Sequence, residues 1–491
     1  MTTSYSNMSE IRHVIIVGGG IVGLATAYYL QEESRAAGLP LTYTLLESDR
    51  TPGGKIVTEH ADDFVIEGGP DCFLSRKPWA ADLCRRLGLG DDLMGTNDAR
   101  RKVFVLNRGR LTPLPDGVML IVPTRITPFL TSPLISWPGK VRMGLDLFIP
   151  SRHDGDDESV ANFVRRRLGQ EALDKIAEPL MSGIHVSDPE RQSLLGTFPR
   201  FRDLELKYGS LIRGMLAARR APQPPRSSDS GPSSMFITLR QGLGQFTQSL
   251  ERALTAGQVI TGTRVVGLER GDGEGDHGDH LYYRVRTGDG ATSEAHAVIL
   301  TTPAFVSAEL VSDLAPSLAD ALRGIRYVST AVITLGFRRA DVAHPLDGFG
   351  FVVPRRERRK VFGCTWTSTK FHHRAPPEAL LLRCFVGGPG REEVVELSDE
   401  ELMALVRQEL GVIMGLHAPP TLTRIFRWPK ANPQYDVGHL DRVREMHALC
   451  ETQPGLFITG SAFEGVGLPD CVRQGQQAAS RVFSYVSNHK P

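Results

Sequence analysis

Gly18-x-Gly20-x-x-Gly23 stands between a short apolar run, HVIIV, and a stretch with apolar residues at helical spacing, IVGLATAYYLQEES. Glycines at this spacing let the chain turn tightly, let backbone N–H groups approach a pyrophosphate, and let helix and strand pack closely. The start of the helix presents its partial positive charge to the phosphates. Glu47 ends the next β-branched run, LTYTLLES, 24 residues beyond Gly23. A carboxylate there accepts hydrogen bonds from a ribose diol. A glycine turn that merely packs would not call for that acid. The pattern predicts a dinucleotide site, with Ile21 and Val22 in the turn and Ser48 beside the acid.

Two glycine pairs follow the second predicted strand: Gly53-Gly54, then Lys55, and Gly68-Gly69, then Pro70. A simple nicotinamide dehydrogenase does not require them. In a flavoprotein the chain here runs beside a long cofactor toward its ring system, and small residues permit that approach. The far end of the chain offers the other half. Phe457 to Gly460 has a buried-strand pattern, Val466, Gly467 and Leu468 form a turn, and Asp470 reads as the N-cap of the helix after it. A helix start stabilises negative charge developing at a flavin's N1/O2 edge. Only one GxGxxG follows a strand pattern and opens a helix, whereas enzymes that reduce a flavin with NAD(P)H often carry a second dinucleotide site. The cofactor is read as FAD, reduced by the substrate itself.

These residues sit in an ordinary soluble composition: 491 residues, 41% apolar, 23% charged, with Lys+Arg 57 against Asp+Glu 56. With no basic excess to neutralise phosphates, nucleic-acid binding is excluded. The length calls for two or three structural units. Cys72, Cys84, Cys364, Cys384, Cys450 and Cys471 show neither CxxC nor zinc spacing and read as reduced thiols of a cytoplasmic protein. The leading MTTSYSNMSEIR has no apolar core for a secretory signal. No run approaches the ~18 apolar residues of a membrane span. No metal cluster and no Ser/His/Asp triad is apparent.

Three segments, VGGGIVGLATAYYL, LLESDRTPGGK and ITGSAFEGVGLPDCVRQGQ, resemble the flavin amine-oxidase superfamily. PLMSGIHVSDPERQSLLGTFPRF, RWPKANPQYDVGHLDRV and IEGGPDCFLSRKP are similar to the protoporphyrinogen/coproporphyrinogen oxidases of haem biosynthesis, over about residues 12–485. The PQYxxGH element (Pro433, Gln434, Tyr435, Gly438, His439) marks that family among flavin oxidases. PTRITPFLTSPLISWPGKVRMGLDLFIPSR looks closer to the Gram-positive-type enzymes, which act on coproporphyrinogen III. The resemblance points to that substrate, with protoporphyrinogen IX as the alternative. An amine oxidase or carotenoid desaturase, and a porphyrin carrier holding FAD for structure, are the competing readings.

The resemblance implies an α/β fold, a Rossmann-like FAD-binding domain of the glutathione-reductase type with a mixed-sheet substrate domain and a helical insertion. FAD-binding segments are expected at 10–75, 236–310 and 446–491, a helical, membrane-facing substrate region at 76–235 with a mobile loop at 221–234, and a substrate-binding segment at 311–445. A charged turn, GDGEGDHGDH, should join two strands of a hairpin that returns to the dinucleotide sheet. The implied reaction is a six-electron oxidation in three flavin cycles, with hydride loss from methylene bridges, O2 as acceptor and H2O2 as product. The protein orients the ring and excludes water.

The substrate's apolar face and propionates call for a broad apolar pocket with a few cations. Arg100, Arg101 and Lys102 are the propionate candidates, against a solvated loop. By resemblance Gly183 and Ile184 lie over the substrate, against packing alone, and Val265 and Val266 hold the adenine through their backbone; Trp428 and Lys430 approach the isoalloxazine, with core packing the equal alternative for Trp428. His185 reads as a satisfied polar histidine beside the pocket, with a base as the alternative, and Tyr435 and His439 read as braces around the flavin rather than groups for proton transfer. His372, His373 and Arg374 read as surface. Monomer and homodimer stay open, as do peripheral contact with the inner face of the membrane and hand-over of product to a ferrochelatase.

Overall fold

Val14, Ile15, Ile16 and Val17 are all buried, an unbroken apolar run of the kind a strand covered on both faces requires. They lie in β1 (Arg12–Val17), at the centre of a five-stranded parallel sheet. The computed structural model describes residues 12–119, 121–123, 125–220, 234–272 and 281–488. Residues 221–233 of the predicted loop and 273–280 of the charged turn lie outside the described residues.

In strand order the parallel sheet runs Gln258–Ile260, β2 (Leu41–Leu46), β1, Ala297–Leu300 and Leu456–Ile458. Three distant stretches of chain thus meet in one sheet, with Val14 opposite both Tyr43 and Ala297. Helix α1 (Ile21–Ala37) follows β1 and packs on the C-terminal helix Leu468–Asn488. A Cβ at Gly475 would come within 2.9 Å of both the Ala25 Cβ and the Val22 carbonyl oxygen, so glycine sets how closely these helices approach. The antiparallel strands Val265–Asp272, Leu281–Thr287 and Thr292–Ala295 return to the sheet through Ala297–Leu300, as the hairpin pattern predicts.

A second, seven-stranded sheet is mixed. Its order is Leu422–Pro433, Tyr327–Arg338, Ala379–Gly387, Val361–Trp366, Gly350–Val352, Val103–Asn107 and Arg110–Pro113. Only Gly350–Val352 and Val103–Asn107 pair in parallel. The helix Asp399–Met414 begins at a capping box, Ser398 with Glu401, which is the local reason it starts there. Trp137–Gly144, Val160–Arg167, Glu178–His185, Pro199–Tyr208 and Leu211–Arg220 form a helical layer around a separate apolar core. No helix among the described residues is long and apolar enough to cross a membrane.

Candidate active site

The turn after β1 is built by steric exclusion. A Cβ at Gly23 would stand 1.9 Å from the Gly18 carbonyl oxygen, so any side chain forces the helix off the strand. At Gly20, just before Ile21 and Val22 open α1, a Cβ would meet no heavy atom within 4 Å. That opening lies at the helix start, where the first N–H groups have no acceptor within the helix. Glu47 is buried, and its carboxylate accepts from Gly19 N at 2.6 Å, Asp49 N at 2.8 Å and Ser48 Oγ at 3.1 Å. Carboxylate oxygens carry further lone pairs for a diol. The segment before Val265 docks here too, since Thr263 N donates to the Glu47 carbonyl at 2.8 Å. Val265 is buried and Val266 is 46% exposed.

Gly53 and Gly54 serve the turn itself. Gly53 N donates to the Gly19 carbonyl at 2.8 Å, and a Cβ on Gly54 would lie 3.2 Å from the Gly20 Cα. Farther along, a Cβ on Gly69 would stand 1.8 Å from the Lys55 carbonyl oxygen. Trp428 Nε1 donates to the Gly68 carbonyl at 2.8 Å, and Lys55 Nζ donates to the Ala431 carbonyl. Burial lowers the Lys55 pKa. Lys55, Gly68-Gly69-Pro70 and Trp428 therefore form one junction between the dinucleotide domain and the seven-stranded sheet. Lys430 adopts a left-handed φ of 45°, with its Nζ 5.8 Å from the Phe305 ring centroid.

The C-terminal loop from Gly460 through Val466 and Gly467 to Leu468 is braced from outside. Tyr435 Oη donates to the Ser461 carbonyl and accepts from Gly465 N, both at 2.8 Å. The His439 ring stacks on Tyr435 at 3.8 Å, and its Nε2 meets the Phe463 carbonyl at 2.8 Å. Burial raises the Tyr435 pKa and pushes that of His439 down to about 4. Asp470 is not the N-cap the sequence suggests. It lies in the first turn of Leu468–Asn488, where its carboxylate takes Lys77 Nζ at 2.7 and 2.5 Å.

Gly183 and Ile184, expected over the substrate, lie in the helix Glu178–His185, and a Cβ on Gly183 would touch Val352 Cγ1 at 3.5 Å. Arg100, Arg101 and Lys102 precede the strand Val103–Asn107, whose Val105 pairs with Val352 and Val103 with Gly350. The two groups thus sit toward opposite ends of one strand pair, about 7 Å apart along it. All three cations are exposed, and Lys102 Nζ pairs with Asp347 Oδ2 at 2.5 Å. His185 departs from its expected role. Its ring meets the edge of Phe198 at 5.1 Å, and its side chain has no hydrogen bond among the described residues.

Other charged residues of the site escape sequence reasoning. Asp71, two residues past Gly69, is flanked by Lys370 Nζ at 3.0 Å and Arg383 Nη1 at 3.3 Å, and Arg383 Nη2 donates to the Gly69 carbonyl at 2.5 Å. Burial alone would raise the Asp71 pKa, but the two cations hold it well below the usual carboxylate range. Arg374, expected on the surface, is fully buried and pairs with Glu67 at 3.3 Å, while His372 and His373 are exposed. Arg374 Nη2 also donates to Thr238 Oγ1 at 2.9 Å and to the Leu239 carbonyl at 3.2 Å, a long-range arrangement with no local signal.

Residues 21–483 match the family described as flavin containing amine oxidoreductase. The chain belongs to the flavin containing amine oxidoreductase family. It is 38% identical to the coproporphyrinogen III oxidase of Bacillus subtilis strain 168, covering 97% of this chain and 98% of that protein. It is 30% identical to the chloroplastic protoporphyrinogen oxidase of Oryza sativa subsp. japonica, covering 97% and 89%. A crystal structure from Exiguobacterium sp. 255-15, described as of the protoporphyrinogen oxidase type, superposes with a TM-score of 0.84 at 34% identity, over 97% and 99% of the two chains.

Membership makes the chain an FAD-dependent oxidoreductase, and the residues present fit that group. The opening at Gly20, the anchored Glu47 and the two helix starts offer the donors and acceptor that an extended dinucleotide needs. Among the described residues, no group of three or more His, Cys, Asp or Glu side chains is placed to hold a metal ion.

Proposed function

We propose that the chain oxidises coproporphyrinogen III to coproporphyrin III in haem biosynthesis, with O2 as electron acceptor and H2O2 as product. The observation that carries this substrate is the near full-length similarity to the Bacillus subtilis enzyme, stronger than that to the plant protoporphyrinogen oxidases. FAD, when bound, supplies the two-electron acceptor, used three times per macrocycle. The chain's own residues bind, orient and shield. Glu47 and Ser48 receive the ribose, with Val265 and Val266 alongside the adenine. Gly18, Gly20, Ile21, Val22 and Gly23 frame the pyrophosphate. Lys55, Gly68, Gly69, Pro70 and Trp428 border the ring system with Gly460, Val466, Gly467 and Leu468. Gly183 and Ile184 cover the substrate, and Arg100, Arg101 and Lys102 attract its propionates.

The segments 10–75, 236–310 and 446–491 carry the cofactor in this reading, and 76–235 and 311–445 the substrate. Peripheral membrane contact is supported by the row Trp137, Val141, Leu145 and Phe148, which are 65, 64, 46 and 77% exposed. Sedimentation with anionic vesicles tests it, and a wild-type protein left in the supernatant would remove this part. Substrate identity is tested by mixing the oxidised holoenzyme with coproporphyrinogen III without oxygen. Bleaching of the flavin is expected, and a flavin that stays oxidised would refute the assignment.

A further inference from the structure

Each two-electron step on a porphyrinogen removes one hydride and one proton. When hydride leaves a methylene bridge, positive charge spreads into the adjoining pyrroles and their N–H groups become acidic. A weak base then suffices, if it is neutral, close and not already hydrogen-bonded. The residues assigned so far supply none.

We propose that His185 is the catalytic base that accepts this pyrrole N–H proton, an assignment that rests on the substrate site proposed above. His185 is the last residue of the helix Glu178–His185, next to Ile184 and two residues from Gly183. The main chain beside it is fixed on both sides. Val186, in a left-handed conformation at φ 48°, donates its N–H to the Ser182 carbonyl at 3.0 Å, and its own carbonyl accepts from Gln434 Nε2 at 3.1 Å. The imidazole lies edge to face with Phe198, with ring planes at 82°. The side chain is half-buried, so part of it remains accessible.

Other basic side chains around the site are engaged. His439 Nε2 is bonded to the Phe463 carbonyl, Tyr435 Oη to Ser461 and Gly465, and Cys72 Sγ accepts from Lys370 Nζ at 3.4 Å. His185 has no such partner among the described residues. One charged group, Lys77, bears on it. Lys77, ahead of the helix Pro78–Arg86, has its ammonium held by Asp470 at the start of Leu468–Asn488. Glu178, at the other end of the helix that carries His185, is drawn to Ser182 and Arg355. Burial, then the Lys77 charge, lowers the imidazole pKa to about 4, so the ring is neutral at pH 7 and readily releases a proton to water.

The step balances. The bridge C–H bond breaks with both electrons leaving as hydride to the cofactor. The pyrrole N–H bond breaks with its electrons staying on nitrogen to form the C=N bond. The proton bonds to the free imidazole nitrogen and passes to solvent before the next round.

The test compares wild type with His185→Phe, which keeps an aromatic ring against Phe198. The variant should bind FAD with an unchanged visible spectrum and keep its KM within about two-fold. Its kcat should fall about 100-fold, with partial recovery on adding imidazole and loss of the acid limb of the pH–rate profile. A variant with wild-type kcat overturns the proposal. So does a slow variant whose pH profile keeps its shape and which imidazole does not rescue, since a packing role alone would explain it. A wild type that turns over no coproporphyrinogen would overturn the substrate site, and this assignment with it.

Discussion

Replacing Gly20 with alanine should weaken cofactor binding while leaving the fold intact. Gly20 has φ −67° and ψ 178°, a conformation open to alanine, and the added Cβ meets no protein atom within 4 Å. At such a site the substitution stabilises a protein by roughly 0.4–1 kcal/mol, through the unfolded chain. The same methyl group stands where the pyrophosphate approaches the start of α1. Losing one charge-assisted hydrogen bond costs about 1.5–3 kcal/mol. That corresponds to a rise in the FAD Kd of roughly ten-fold to more than 100-fold. Gly23→Ala is the control, because its Cβ would lie 1.9 Å from the Gly18 carbonyl oxygen and must displace backbone. It should lower apoprotein stability by about 1–3 kcal/mol or more. Denaturant unfolding of both apoproteins, with FAD titration by flavin fluorescence, separates the two effects. A Gly20→Ala protein that binds FAD as tightly as wild type would refute the role given to this turn.

Three further expectations follow the same logic. Tyr435→Phe leaves Gly465 N and the Ser461 carbonyl without their partner. It should cost about 1–3 kcal/mol in denaturant unfolding and weaken FAD retention, and unchanged values for both would remove the brace. The His439 pKa falls on folding from 6.5 to about 4, so its contribution to stability is full above pH 6.5 and is lost as pH drops toward 4. Unfolding at pH 7 and pH 5 should show wild type losing on the order of 2 kcal/mol more than His439→Gln; equal losses would contradict the shift. Arg101→Glu should raise KM for coproporphyrinogen more than it lowers kcat, and unchanged kinetics would return this exposed residue to the solvated loop.

The parts of the fold visible in the sequence are those whose cause is local. The HVIIV run, the glycine spacing and the Glu47 carboxylate lie within 35 residues of one another, and each dictates its own geometry. The Ser398–Glu401 capping box likewise marks its helix from four residues. What was not legible depends on residues far apart in the chain. Arg374 looks like surface beside two histidines, yet it is buried because Glu67, 307 residues away, neutralises it. Asp470 has the residue type of an N-cap, but Lys77 claims its carboxylate. Gly53 and Gly54 fit a flavoprotein pattern while the contacts they make are to Gly19 and Gly20. The contact of His185 with the edge of Phe198 is also a tertiary fact that its neighbours in MSGIH do not announce.

The central claim is the substrate, and the most direct measurement is turnover in air of coproporphyrinogen III against protoporphyrinogen IX by the flavin-loaded protein, followed by porphyrin fluorescence. A higher kcat/KM for coproporphyrinogen III is expected. A clear preference for protoporphyrinogen IX, or a yellow protein that oxidises neither, would contradict it.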